Sequence, residues 1–155
     1  MNLLIVTGLS GAGKSLAMHA LEDIGFFCID NIPANLLAKL MEFAQQSENT
    51  LERVAVVLDI RGGKSSEDIL NALDQLRAGQ VNYKILFLDA RNDVLERRYK
   101  ETRRRHPISI ASQVSTDEAI LQEREILAPL YEMADYKIES TQKVFEHYGR
   151  VDGVL

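Results

Sequence analysis

Short, unbroken apolar runs alternate along this chain with longer stretches in which apolar residues return every three or four positions. The runs Leu3-Leu4-Ile5-Val6, Phe26-Phe27-Cys28-Ile29, Val54-Ala55-Val56-Val57-Leu58 and Ile85-Leu86-Phe87-Leu88 contain no polar alternation. A strand covered on both faces has no solvent side for polar residues, so these read as four buried strands. Tyr136-Lys137-Ile138 is a weaker fifth. Helical spacing fills the gaps. Lys14 to Ile24 carries Ala17, Leu21 and Ile24 on one side and stops at Gly25. Pro33 opens a second helix whose apolar side holds Leu36, Leu37, Leu40 and Phe43. Ser66 to Arg77 carries Ile69, Leu70, Leu73 and Leu76, with Ser65 or Ser66 as cap. Asn92 caps a helix running toward Arg105, and Thr116-Asp117 opens another that reaches about Leu127, before Pro129. Gln142 to Tyr148 adds a short last one. Strands alternating with helices predict an α/β fold of three layers around a five-stranded parallel sheet. Pro107 to Ser115 lacks periodicity between two charge-rich helices, which suits a lid segment.

Composition narrows the class. With 155 residues the chain has the size of one domain, and 46% hydrophobic and 26% charged residues make it globular. A net charge of −5 argues against a nucleic-acid surface spread over the whole domain. Cys28 is the single cysteine, so no intrachain disulfide forms, and its apolar neighbours make it a small buried hydrophobe. No apolar stretch reaches membrane-spanning length, and no basic segment precedes Leu3 to Val6. The expectation is a cytoplasmic protein without membrane contacts, one that could form a homo-oligomer.

One segment carries specific chemistry. Gly8-Leu9-Ser10-Gly11-Ala12-Gly13-Lys14-Ser15 fits G-x-x-x-x-G-K-[ST] between a buried strand and a helix. Its glycines let the backbone turn tightly, so that N–H groups converge on a phosphate at a helix N-terminus. Lys14 is expected to reach the β- and γ-phosphates and Ser15 to place its hydroxyl on Mg²⁺. Asp59 ends the third strand, where an aspartate would hold that Mg²⁺ through water. In Asp59-Ile60-Arg61-Gly62 the glycine N–H could touch a γ-phosphate and so distinguish triphosphate from diphosphate. Asp89 ends the fourth strand in the same way and is the rival carboxylate, with helix capping as its alternative role. Asp30 and Asn31 follow the second strand, where they form either a second-substrate contact or a turn before Pro33.

The basic residues cluster in Arg97-Arg98-Tyr99-Lys100-Glu101-Thr102-Arg103-Arg104-Arg105-His106-Pro107. Glu96–Lys100 and Glu101–Arg105 are helical i,i+4 pairs, so part of the run is a self-paired solvated face. Arg98, Arg103 and Arg104 are the candidates for bringing positive charge to a transferring phosphate.

Several segments together resemble the N-terminal domain of the bacterial RNase adapter RapZ / YvcJ family of nucleotide-binding proteins. They are Gly8 to Ser15, Leu21-Glu-Asp-Ile-Gly-Phe-Phe-Cys-Ile-Asp-Asn-Ile-Pro33, Asp59 to Gly62, Leu86-Phe-Leu-Asp-Ala90 and Arg98-Tyr-Lys-Glu-Thr-Arg-Arg-Arg-His-Pro107. The resemblance runs to about Thr141. It implies a nucleoside-kinase-like P-loop NTPase fold that binds ATP and GTP and hydrolyses them slowly. It also implies ATP contacts at Gly8 to Ser15 and GTP-associated contacts at Asp59 to Gly62. No N-K-x-D guanine-reading motif occurs, so no residue here assigns the base. Family members carry a C-terminal domain linked to RNA and to sensing an amino-sugar phosphate. This sequence is expected to hold only the P-loop domain, residues 1–155, with RNA and ribonuclease contacts lying in the absent part. The leading expectation is thus a regulatory nucleotide-binding module with weak NTPase activity. A kinase acting on a small metabolite and a non-hydrolysing, nucleotide-gated adapter are the alternatives.

Overall fold

The computed structural model describes residues 2–30, 32–46, 52–58, 67–102 and 115–139. Strand β1 (Asn2–Gly8) lies at the centre of a five-stranded sheet in the order β2-β3-β1-β4-β5. Here β2 is Phe27–Ile29, β3 Arg53–Val57, β4 Tyr83–Asp89 and β5 Tyr136–Glu139. All neighbouring strands run parallel, with Val6 opposite Val57 on one side and Leu86 on the other. Successive residues from Leu3 to Gly8 are all buried, which requires cover on both faces of the sheet. The fold is therefore the expected α/β architecture, with all five predicted strands present. The weak fifth is held in register by Asp135, whose N–H donates to Ile85 O (3.0 Å) and whose carboxylate accepts from Ile85 N (2.8 Å).

The helices are α1 (Lys14–Asp23), α2 (Leu37–Gln46, entered through a 3₁₀ turn at Ala34–Leu36), α3 (Glu67–Ala78), α4 (Asn92–Thr102) and α5 (Thr116–Met133). Three details differ from the sequence reading. In α2 the buried face is Leu37, Met41 and Ala44, while Leu36 and Phe43 are exposed, Phe43 by 73%. Two equally regular apolar stripes lie one residue apart there, and periodicity cannot choose between them. Asn92 is the first residue of α4 rather than its cap; the Leu95 N–H closes the first turn on Arg91 O. Helix α5 does not stop before Pro129 but continues to Met133, because Leu127 and Leu130 remain buried across the proline. Their burial, about 1.5–3 kcal/mol each, offsets the roughly 3 kcal/mol that an interior proline costs. The proposed helix at 142–148 lies outside the described residues, as do 107–114 of the aperiodic stretch. Among the described residues no helix is long and apolar enough to cross a membrane.

Candidate functional site

The end of β1 and the start of α1 meet at the carboxyl edge of the sheet, and the loop between them is held from below. Gly8 has φ +148°, and a Cβ there would stand 2.1 Å from Leu88 O, so the contact with β4 admits only glycine. Leu9 donates its N–H to the same carbonyl at 3.1 Å. The side chains of Leu9 and Ala12 are fully buried, and the Ala12 N–H closes a turn on Leu9 O at 3.0 Å. Two apolar anchors thus hold the loop to the core, with Gly11 exposed between them. Gly13, at φ +98°, is the N-cap of α1. The first turn of α1 holds no acidic residue, unlike those of α3, α4 and α5. Lys14 folds back over the loop and donates from Nζ to Gly8 O at 2.9 Å. Ser15 is exposed at the helix start. Gly8, Leu9, Ser10, Gly11, Ala12, Gly13, Lys14 and Ser15 therefore form one continuous loop that leads into the N-terminus of α1.

Arg98 reaches this loop from α4, where its Nη1 donates to Gly11 O at 2.7 Å. Of the three arginines singled out in the sequence, it is the one within the described residues; Arg103 and Arg104 lie outside them. So do Asp59, Ile60, Arg61, Gly62 and Asn31. The neighbouring chain can be followed as far as Leu58, which is buried and donates its N–H to Val6 O at 3.0 Å. Strand β3 therefore delivers its end to the carboxyl edge directly beside β1. Asp30 is exposed just after β2, on the same edge.

The rival carboxylate has a different occupation. Asp89 Oδ1 accepts from Arg124 Nη1 at 2.9 Å and from the Ala90 N–H at 2.7 Å. Arg124 also donates from Nε to Asn92 Oδ1 (2.7 Å) and from Nη2 to Ala90 O (2.6 Å). Asp89 thus fastens the β4–α4 junction to α5.

Two residues of this region escaped the sequence reading, Arg124 and its neighbour Glu123. Glu123 is 3% exposed, with Oε1 accepting from Ser10 N (2.8 Å) and Oε2 from Ser10 Oγ (2.7 Å). A carboxylate so far from water requires charge-assisted partners, and both donors of Ser10 provide them. A signal was present: Glu123 stands in phase with Ile120, Leu127 and Leu130, a charge on an apolar stripe.

Cys28 is half-buried on β2, and its thiol donates to Met18 O at 3.5 Å. Burial, reinforced by the nearby Glu22 charge, pushes the thiol up to about 11. It is a packing residue, as its apolar run suggested.

A family model described as the RapZ-like N-terminal domain matches residues 1–148, and the chain belongs to that family. It is 50% identical over 141 residues to a nucleotide-binding protein of Caldicellulosiruptor saccharolyticus, covering 91% of this chain and 48% of that protein. It is 46% identical over 147 residues to a nucleotide-binding protein of Clostridium beijerinckii, covering 95% and 49% respectively. The chain thus spans about half the length of the curated relatives it matches. Among solved structures, the shikimate kinase of Acinetobacter baumannii superposes with a TM-score of 0.64 at 15% identity, covering 98% of this chain and 91% of that one. The fold is that of the P-loop kinases and NTPases.

Proposed function

We propose that this RapZ-like domain binds ATP or GTP with Mg²⁺ at Gly8 to Ser15, hydrolyses the triphosphate slowly, and serves as the nucleotide-responsive part of a longer regulator. The observation that carries the reading is the loop itself. Leu9 and Ala12 anchor it in the core, Gly8, Gly11 and Gly13 all hold positive φ, and it runs into a helix whose first turn lacks acidic residues. That arrangement suits a polyphosphate and nothing cationic. The names of the relatives, nucleotide-binding proteins, point the same way.

Within this reading Lys14 leaves Gly8 O for the β- and γ-phosphates, and the loop N–H groups hold the β-phosphate. The exposed Ser15 hydroxyl would hold Mg²⁺, with Asp59 acting through a water molecule. Mg²⁺ neutralises charge shared between the β- and γ-phosphates. Residues Asp59, Ile60, Arg61 and Gly62 line the γ-phosphate side, where the Gly62 N–H reads the intact triphosphate. Arg98, with Arg103 and Arg104, supplies positive charge as the terminal phosphate leaves. RNA and ribonuclease contacts belong to the half of the longer proteins that this chain does not span. Lys14→Ala should abolish Mg–ATP and Mg–GTP binding in calorimetry, and unchanged affinity would remove the reading.

A small-molecule kinase is the second reading, favoured by the exposed Asp30 at the carboxyl end of β2, where an acceptor hydroxyl could approach. Phosphate transfer to a metabolite much faster than release to water would select it. Tight nucleotide binding without any phosphate release would select a non-hydrolysing adapter.

A further inference from the structure

We propose that Glu123 is a positioning residue of the phosphate loop: its buried carboxylate takes both hydrogen-bond donors of Ser10 and so fixes the front half of the loop. The inference rests on the phosphate-binding reading of Gly8 to Ser15 and extends it to a residue more than a hundred positions away in the chain.

The Ser10 N–H, which could otherwise face an anion, is turned inward onto Glu123 Oε1 at 2.8 Å, and its hydroxyl follows onto Oε2 at 2.7 Å. The residues on either side are fixed independently. Leu9 N–H is held by Leu88 O of β4, and Gly11 O by Arg98 of α4. Glu123 completes the set from α5, so three consecutive loop residues are each held by a different element. The carboxylate is itself presented rigidly, because the next residue, Arg124, ties α5 to Asp89, Ala90 and Asn92. A buried anion this close to a phosphate site opposes binding through its charge. It is favourable only because it spares the loop the ordering that a polyphosphate would otherwise have to impose. The helix phase places the side chain on the apolar stripe of α5, where a leucine would pack but could not bind Ser10.

Calorimetric titration of the full chain with Mg–ATP tests the assignment. Glu123→Ala should weaken binding about tenfold or more, with the helical signal retained in circular dichroism. Glu123→Gln should recover most of the loss, since its amide oxygen still accepts the Ser10 N–H and its NH₂ donates to Ser10 Oγ. The double variant Glu123→Ala, Ser10→Ala should bind no worse than Glu123→Ala alone, as expected for two groups acting through each other. Wild-type affinity in a folded Glu123→Ala protein overturns the proposal, and so does a Gln variant as weak as the Ala one. Should Glu123→Ala not fold, Ser10→Ala decides: binding a few-fold weaker supports the role, and unchanged binding overturns it. Lys14→Ala separates the two readings. If it abolishes binding while Glu123→Ala leaves binding intact, only the role of Glu123 falls; if it binds normally, the phosphate-binding reading falls first.

Discussion

At the scale of single residues, the approach to the loop contains a polar group with no evident use. Thr7 is buried on β1 immediately before Gly8, and its Oγ1 has no hydrogen-bond partner among the described residues. Burying a hydroxyl without a partner costs free energy that an isosteric methyl would not. Thr7→Val should therefore leave stability unchanged or raise it by up to about 1 kcal/mol in urea denaturation. A loss larger than that would mean the hydroxyl is bonded in solution. Cys28 gives a pH-dependent counterpart. Its thiol is raised from the ordinary 9.0 to about 11, so at pH between these values the folded protein keeps a proton that the unfolded chain releases. Its contribution to stability is complete below the unfolded value and is lost as pH rises toward the folded one. Alkylation of native Cys28 at pH 8 should be far slower than in urea, and equal rates would refute the shift.

At the scale of elements, α5 is the least expected part of the molecule. Its Ser115 cap accepts from the Glu118 N–H, and it runs on through Pro129. Arg124 joins it to β4 and α4 through three acceptors of which Asp89 is one. Arg124→Ala should cost about 1–3 kcal/mol in thermal or urea unfolding, because Asp89 then keeps a partly buried charge without its main partner. The first four strands were legible because unbroken apolar runs, each bounded by turns, leave little choice of register or face, and the fifth was weaker because Lys137 interrupts it. The strand–loop–helix path of Gly8 to Ser15 was legible because glycine spacing and residue type specify it within eight positions. The face of α2 was not, since Leu36-Leu37 and Leu40-Met41 offer two stripes to the same core. Glu123 and Arg124 were not because their partners, Ser10 and Asp89, come from distant segments, and a charged run on a helix ordinarily faces water. Of the arginines expected to bring charge to a phosphate, Arg98 lies against the loop, where it donates to the Gly11 carbonyl.

At the scale of the whole molecule, strand order brings two carboxylates to the strands beside the loop, and their partners separate them. Strands β3 and β4 both flank β1, so Asp59 and Asp89 both follow strands adjacent to the loop. Asp89 is engaged with Arg124. Asp59→Asn should therefore weaken Mg²⁺-dependent nucleotide binding with little change in melting temperature. Asp89→Asn should lower the melting temperature with a smaller effect on Mg²⁺ dependence. The opposite pattern, measured by calorimetry and thermal unfolding side by side, would exchange their roles.

The bond between Ser10 and Glu123 spans 113 positions. A ribosome adds about 5–20 residues each second. The loop is therefore translated several seconds before the helix that steadies it, and β1 waits first for β3 and then for β4, the strands that flank it. A nascent chain released before α5 would carry the whole phosphate-loop motif and still lack its buried support. On this reading the support of the loop arrives late in synthesis, as a property of the nearly finished domain rather than of its opening segment.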